Sequence, residues 1–160
     1  MYCGIDVGKK GAIAILNKNG DIIHKEVVPL VSKKELDFSR IKEISKIISD
    51  NCKHAAIENV KSIYGSSANS NFQFGRIFGN LEMLLHLSGV SVLYVKPKDW
   101  QKVIWSNLPT LSKNPKENSL NACKLLFPEE NLLATKRSSV PHDGLVDAIL
   151  IAEYCRRFYK

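Results

Sequence analysis

No stretch of the chain approaches the roughly 20 apolar residues that a membrane-spanning helix needs, and the opening MYCGIDVG has neither the basic nor the apolar region of a secretion signal. No membrane association and a cytoplasmic location are therefore expected. Cysteine is sparse and scattered, with Cys3, Cys52, Cys123 and Cys155 forming no CxxC pair and no Cys/His spacing of a zinc site. Three of the four lie in apolar stretches, so reduced core residues are expected rather than disulfides. Internal repeats and low-complexity tracts are missing too, which argues against solenoids and disordered chains. Acidic residues are the minority: 16 Asp and Glu stand against 23 Lys and Arg, a formal net charge of +7. Such a balance favours polyanionic partners, nucleic acid or an anionic membrane surface, without deciding between them.

What is present reads as ordinary globular sequence. With 160 residues, 44% hydrophobic and 24% charged, one domain spanning 1–160 is expected, with a core that needs no covalent staples. Apolar runs at 2–7, 12–16 and 22–28 flank GKKG and Asn19-Gly20-Asp21, which predicts an antiparallel meander of three strands. Ser39 then precedes Ile41, Ile44, Ile47 and Ile48, the stripe of an amphipathic helix ending near Asn51. The next strand is HAAIE, 54–58, and the intervening helix makes it parallel to the first or third strand. A polar loop from Asn59 to Asn71 leads to a helix over about 72–87 with the stripe Phe74, Ile77, Phe78, Leu81, Leu84 and Leu85. Gly75 and Gly79 inside it each cost on the order of 1 kcal/mol relative to alanine, so a close neighbour, the sheet or a second subunit, is expected there. A fifth strand at 91–95 precedes a short helix starting near Pro97, and Asn114-Pro115-Lys116-Glu117 opens another that stops at Pro128. Ser138, Ser139 and Pro141 are read as the start of a last helix that runs to about Arg157. The expected fold is α/β, a five-stranded mixed sheet of a three-strand meander plus two parallel strands, flanked by helices.

The acidic residues fall in telling places. Asp6 and Glu58 each close an apolar strand, where burial of an unpaired carboxylate costs several kcal/mol unless a cation or hydrogen-bond donors compensate. If their strands are parallel neighbours, the two carboxylates share the edge of the sheet where ligands bind in open α/β folds. Asp143 and Asp147, at i and i+4 of the last helix, share one face and bring the set to four. Such oxygen donors suit Mg²⁺ or Mn²⁺, and two ions about 4 Å apart can activate a water and stabilise the leaving oxygen in phosphodiester cleavage. Each residue also has a simpler explanation. Asp6 can cap the turn DVGKKG, Glu58 can pair with a lysine, and Asp143 and Asp147 can complement the helix dipole. The coincidence of two strand-end acids with the helix pair favours the metal site.

Together, GIDVGKKGA, AIEN, FGRIFGN, VKPKDWQK and HDGLVDAILIAEY, in that order over nearly the whole chain, resemble RuvC-type Holliday junction resolvases, particularly the smaller bacteriophage-encoded forms. DxG alone also occurs in actin-like ATPases, but these need a second comparable domain for which 160 residues leave no room. The resemblance implies a ribonuclease H-like fold, a homodimer and Mg²⁺-dependent paired nicking of four-way junctions, with Asp6, Glu58 and Asp147 as metal-binding acids. The last two acids depart from the family pattern, being four residues apart in DGLVD where three is common. Asp143 is thus one candidate for the fourth ligand, and His142 is another candidate catalytic group, although a histidine beside a proline at a helix start is often a cap or a surface residue.

Basic residues around that acidic edge are candidate phosphate contacts: Lys9, Lys10, Lys61, Lys96, Lys98, Lys102, Lys113 and Lys116. Tyr64, in the loop after Glu58, is a candidate to stack on unpaired bases at a branch point. Trp100 and Trp105 read as packing residues. Two other functions stay open at this stage, a nuclease of RNA:DNA hybrids and a noncatalytic module binding branched DNA, although buried acids repel phosphate when no metal is bound.

Overall fold

Alternation along the strands sorts the core onto two faces of one sheet. The computed structural model describes residues 1–32, 35–59 and 65–160. Strands β1 (Tyr2–Asp6), β2 (Ala12–Leu16) and β3 (Ile22–Val27) form the expected meander. A two-stranded hairpin follows, β4 (Leu30–Ser32) and β5 (Glu35–Leu36), and then helix α1 (Phe38–Asn51), strand β6 (His54–Glu58), helix α2 (Ala68–Leu87) and strand β7 (Ser91–Val95). Helices α3 (Pro97–Ile104), α4 (Pro115–Leu126) and α5 (Asp143–Phe158) complete the chain. The main sheet has the order β3-β2-β1-β6-β7, with β1 antiparallel to β2 and parallel to β6, and β6 parallel to β7. The mixed five-stranded sheet is therefore as expected, and β1 is its central strand.

Odd-numbered residues Cys3, Ile5, Ile13, Ile15, Ala55 and Ile57 face α1 and α2, meeting Ile44, Ile48, Ile77, Leu81 and Leu85. Even-numbered Ala12, Ala14, Leu16 and Ala56 face the other layer, where they pack with Ala148, Ile149 and Ala152 of α5, Trp100 and Ile104 of α3, and Cys123 of α4. Small residues on that second face let α5 approach the backbone of β1. A Cβ on Gly4 would stand 2.2 Å from the Ala152 nitrogen and 2.4 Å from the Ala148 oxygen. All four cysteines are buried and unpaired, as their apolar settings suggested. Among the described residues, no helix is long and apolar enough to cross a membrane.

Several boundaries differ from the sequence reading. The cap of α1 is Asp37, whose carboxylate accepts from the Arg40 nitrogen at 3.0 Å, so the helix starts before Ser39. Helix α2 starts at Ala68 rather than near Phe72, because Ser67 caps it by accepting from the Ser70 nitrogen at 3.1 Å. The last helix begins at Asp143, not at Ser138 or Ser139. Residues 135–138 instead close a turn, with the Ser138 nitrogen donating to the Thr135 oxygen. Local hydroxyl and backbone bonds satisfied this segment better than a helix would. The expected stripe of α2 does face the core, yet a Cβ on Gly75 or Gly79 would meet nothing within 4 Å. The two glycines lie on the opposite, outward face, so the sheet is not their neighbour.

Candidate metal and nucleic-acid site

Strand register brings the first two acids together. Gly4 pairs with Ala56 and Ile5 with Ile57, and Asp6 and Glu58 are the next residues, the last of these two adjacent parallel strands. Side chains alternate with period two, so both project to the α5 side of the sheet, at the C-terminal ends of adjacent parallel strands.

Helix α5 delivers the other two, and a glycine sets how close it comes. His142 caps the helix, its Nδ1 accepting from the Leu145 nitrogen at 3.3 Å, and Asp143 occupies the first turn. Between the acids, a Cβ on Gly144 would stand 1.9 Å from the Lys10 carbonyl oxygen and 3.1 Å from Asp6 Oδ2. Only glycine lets the helix start against the β1–β2 turn, so DGLVD carries Asp147 to the strand-end acids. On the turn's own side, a Cβ on Gly11 would stand 2.2 Å from the Asp6 carbonyl oxygen.

The electrostatics are those of crowded carboxylates. Burial, followed by the charges of Asp147, Glu58 and Asp143, holds the Asp6 carboxyl well above its ordinary value. Burial pushes Asp147 up to about 7, with Glu58 and Asp143 adding to the rise and a hydrogen bond from Ser119 opposing it. Glu58 is raised by burial, against which the Trp100 indole donates from Nε1 to Oε1 at 2.8 Å. Asp147 Oδ1 is buried and has no hydrogen-bond partner. Asp143 is more exposed and pairs with Lys116 Nζ.

These residues fit a divalent cation in kind: they are hard oxygen donors, they repel one another, and one buried oxygen is unsatisfied. Among the described residues, however, no three acidic, His or Cys side chains converge as a finished ligand cage. The contacts account for this, since Lys116 draws Asp143 outward, Trp100 and Ser119 hold the next two acids, and like charges stay apart.

The basic candidates distribute around this edge. Lys9 and Lys10 are exposed on the β1–β2 turn, beside a groove that runs from Asp6 to Ser70 and Phe74 in the first turns of α2. Lys96 is the cap residue of α3, and Lys98 and Lys102 lie along it, all exposed. Lys113 is exposed just before the α4 cap Asn114, and Lys116 sits in the first turn of that helix. The loop carrying Lys113 is tied by buried Asn118, which accepts from the Ser112 nitrogen at 2.7 Å and donates to its oxygen at 2.9 Å. Lys61 and Tyr64 lie outside the described residues.

Three residues of the site went unread in the sequence. Trp100 is buried as a packing residue should be, but its indole also bonds Glu58. Ser119 reaches Asp147 from another helix, which no local pattern signals. Gly144 did leave a signal, as a poor helix former between two acids at a helix start.

No protein-family model matches the sequence, and no curated protein does. Solved structures do. RuvC from T. thermophilus in complex with Holliday junction substrate has a TM-score of 0.63 at 19% identity, covering 99% of this chain and 92% of that one. A second structure of Thermus thermophilus RuvC gives 0.60 at 20% identity, covering 99% and 96%. Fowlpox virus resolvase in complex with substrate Holliday junction DNA gives 0.58 at 15% identity, covering 98% and 99%. Taken with the sheet order and the helices on both faces, the chain has the ribonuclease H-like α/β fold of the RuvC-type Holliday junction resolvases.

Proposed function

We propose that residues 1–160 form a single divalent-cation-dependent endonuclease domain that nicks four-way DNA junctions, and other branched DNA to a lesser degree. The observation that carries this reading is the placement of Asp6 and Glu58 side by side on one face of the sheet. Asp147 of α5 stands near enough for its charge to raise the Asp6 carboxyl, and one of its own oxygens is left unsatisfied. Asp6, Glu58 and Asp147 would hold Mg²⁺, with Mn²⁺ as a substitute and two ions per site. Asp143 would complete the set by exchanging its Lys116 partner for the cation. A bound divalent ion there supplies neutralisation of the scissile phosphate and a lowered pKa for the attacking water. The full-length likeness to resolvases whose structures hold junction DNA supports the substrate class.

The chain's own residues position the DNA. Lys9 and Lys10 flank the carboxylates on the turn side, while Lys96, Lys98, Lys102, Lys113 and Lys116 line the α3–α4 side. Phosphates can thus be held on both flanks without base reading. Lys61 and Tyr64, outside the described residues, are proposed as further DNA contacts, with Tyr64 stacking at the branch point. His142 acts first as the cap that fixes the start of α5 and so the position of Asp143.

Paired nicking requires two sites, and α2 offers the surface for a homodimer. Phe72, Arg76, Gly79, Met83 and Leu87 share its outward face, where Phe72, Met83 and Leu87 are exposed and the glycine leaves open space. Close approach of a second helix at the Gly75/Gly79 pair accounts for residues that otherwise only weaken α2.

The test is incubation of end-labelled four-way junction, flap, linear duplex and RNA:DNA hybrid with and without Mg²⁺. Cation-dependent nicking of the junction in preference to the duplex is expected. Preferential cutting of the hybrid, or binding without cutting, would replace this reading with one of its two alternatives.

A further inference from the structure

Two of the proposed ligating acids reach their neighbours across the layer formed by α3 and α4. The Trp100 indole, fully buried at the third layer of the fold, gives its only N–H to Glu58 Oε1 at 2.8 Å. Pro97 starts α3 directly after β7, and β7 pairs with β6 so that Val95 stands beside Glu58. The ring is thereby delivered to the same strand end as the carboxylate. It is wedged by Trp105, edge-on at 6.3 Å between centroids, so the indole has little freedom to turn away. On α4, Ser119 is buried and hydrogen-bonds the Asp147 carboxyl, whose Oδ1 keeps no partner.

A carboxylate on a flexible stem is a poor ligand until its rotamer is fixed, and a donor to one oxygen fixes it while leaving the other oxygen to bind. We infer that Trp100 is a positioning residue of the cation site: its Nε1–H clamps Oε1 of Glu58 and thereby leaves Oε2 to the ion. This rests on the reading of Glu58 as a cation ligand. It assigns to the tryptophan of the KPKDWQ segment a role that its burial alone does not require, because a phenylalanine would fill a core position without bringing a donor.

The experiment uses the full chain and reads cation binding directly. Replacement of Trp100 by benzothienylalanine keeps the bicyclic shape and removes the N–H, and W100F provides a second variant. Mn²⁺ affinity, read from the free-ion paramagnetic resonance signal, should fall about 10- to 100-fold in both, the usual loss when the partner of a ligand is removed. I104V, which alters packing in the same layer and leaves the Trp100 donor and its Trp105 neighbour in place, should leave it within about twofold. In the unsubstituted protein the Trp100 indole N–H resonance, assigned by its loss in W100F, should move on Mg²⁺ addition. Junction nicking by the Trp100 variants should recover at raised Mg²⁺, since the ligand remains and only its presentation is lost. Unchanged Mn²⁺ affinity in the benzothienyl variant would overturn the positioning role while leaving the nuclease reading intact. Loss of Mn²⁺ affinity in a protein that nicks no branched DNA would overturn the nuclease reading and keep the positioning role. Wild-type Mn²⁺ affinity in E58Q would remove both.

Discussion

Replacing Asp147 by asparagine should stabilise the cation-free protein at neutral pH while destroying its activity. The carboxyl is pushed up to about 7 from an ordinary 3.8 by burial and by the charges of Glu58 and Asp143. A carboxyl whose folded value is raised binds its proton more tightly in the folded state than in the unfolded one. Folding stability is therefore fully present below pH 4 and is lost as pH rises towards 7, the reverse of a salt-bridged acid. A rise of that size corresponds to an upper bound of about 4 kcal/mol by pH 8, and a few kcal/mol is a realistic expectation for a coupled cluster. Of that bound, about 2.6 kcal/mol falls between pH 5 and pH 8, so at about 2–4 °C per kcal/mol for a chain of this length the melting temperature in EDTA should fall by roughly 5–8 °C over that range. Asp147→Asn keeps the shape and removes the charge, so its melting temperature should fall less over that range than that of the wild type, the burial of Asp6 and Glu58 remaining, and should be higher than wild type at pH 8. Mg²⁺ should raise the wild type at pH 8 and leave the variant unmoved, because an ion that binds only the folded state stabilises it by mass action. Differential scanning calorimetry across pH with EDTA or Mg²⁺ measures all of this. A wild type as stable at pH 8 as at pH 5 in EDTA, or a variant that gains nothing, would refute the argument that these acids are crowded together without compensation.

Other substitutions probe the parts separately. Gly144→Ala places a methyl 1.9 Å from the Lys10 oxygen, where ordinary contact begins at 3.4 Å, so α5 must shift by more than 1 Å. Overpacking should cost about 1–3 kcal/mol, partly offset by helix propensity, and a misplacement of 1 Å should cost about 100-fold in nicking rate; a fully active variant would dismiss the close-approach account. His142→Ala should lose about 1 kcal/mol of stability through the missing cap, and His142→Asn, itself a good cap, should recover both stability and nicking; an inactive but stable His142→Asn would assign the imidazole a part in the chemistry. A Cβ at Gly79 has nothing within 4 Å, so Gly79→Leu should leave the monomer folded, but it should abolish self-association in sedimentation equilibrium and uncouple the two nicks. A variant that still dimerises would exclude α2 as the interface.

Much of this fold could be read before any coordinates, and the reasons differ by element. Strands β1, β2 and β6 are short apolar runs bounded by turns, and their order with α1 between them dictates a parallel pairing of β6 with β1 or β3. The choice of β1 rests on the long-range ladder that pairs Gly4 with Ala56, which no local signal carries. Asp6 and Glu58 were legible because a charge closing a buried strand is anomalous on its face. Helix starts were less so: the Ser and Pro residues before α5 mimic a cap, whereas the side chain that does cap is His142, a residue rarely ranked for it. The hairpin β4–β5 escaped notice because LVS and EL are too short to show alternation. Trp100 and Ser119 could be assigned to the core from burial alone. Their hydrogen bonds to Glu58 and Asp147 come from helices that only the tertiary fold brings near. Gly75 and Gly79 suggested a close neighbour, but the sheet is not it, because helical spacing alone does not say on which face of α2 they lie.

The central claim is that strand-end carboxylates make this chain a cation-dependent junction nuclease, and Asp6 and Glu58 test it together. Labelled four-way junction should be nicked by the wild type in Mg²⁺ and left intact in EDTA. Asp6→Asn and Glu58→Gln should bind the same junction with wild-type affinity in Ca²⁺ and produce no nick in Mg²⁺. Undiminished nicking by either variant, or nicking by the wild type that proceeds equally well in EDTA, would contradict the account.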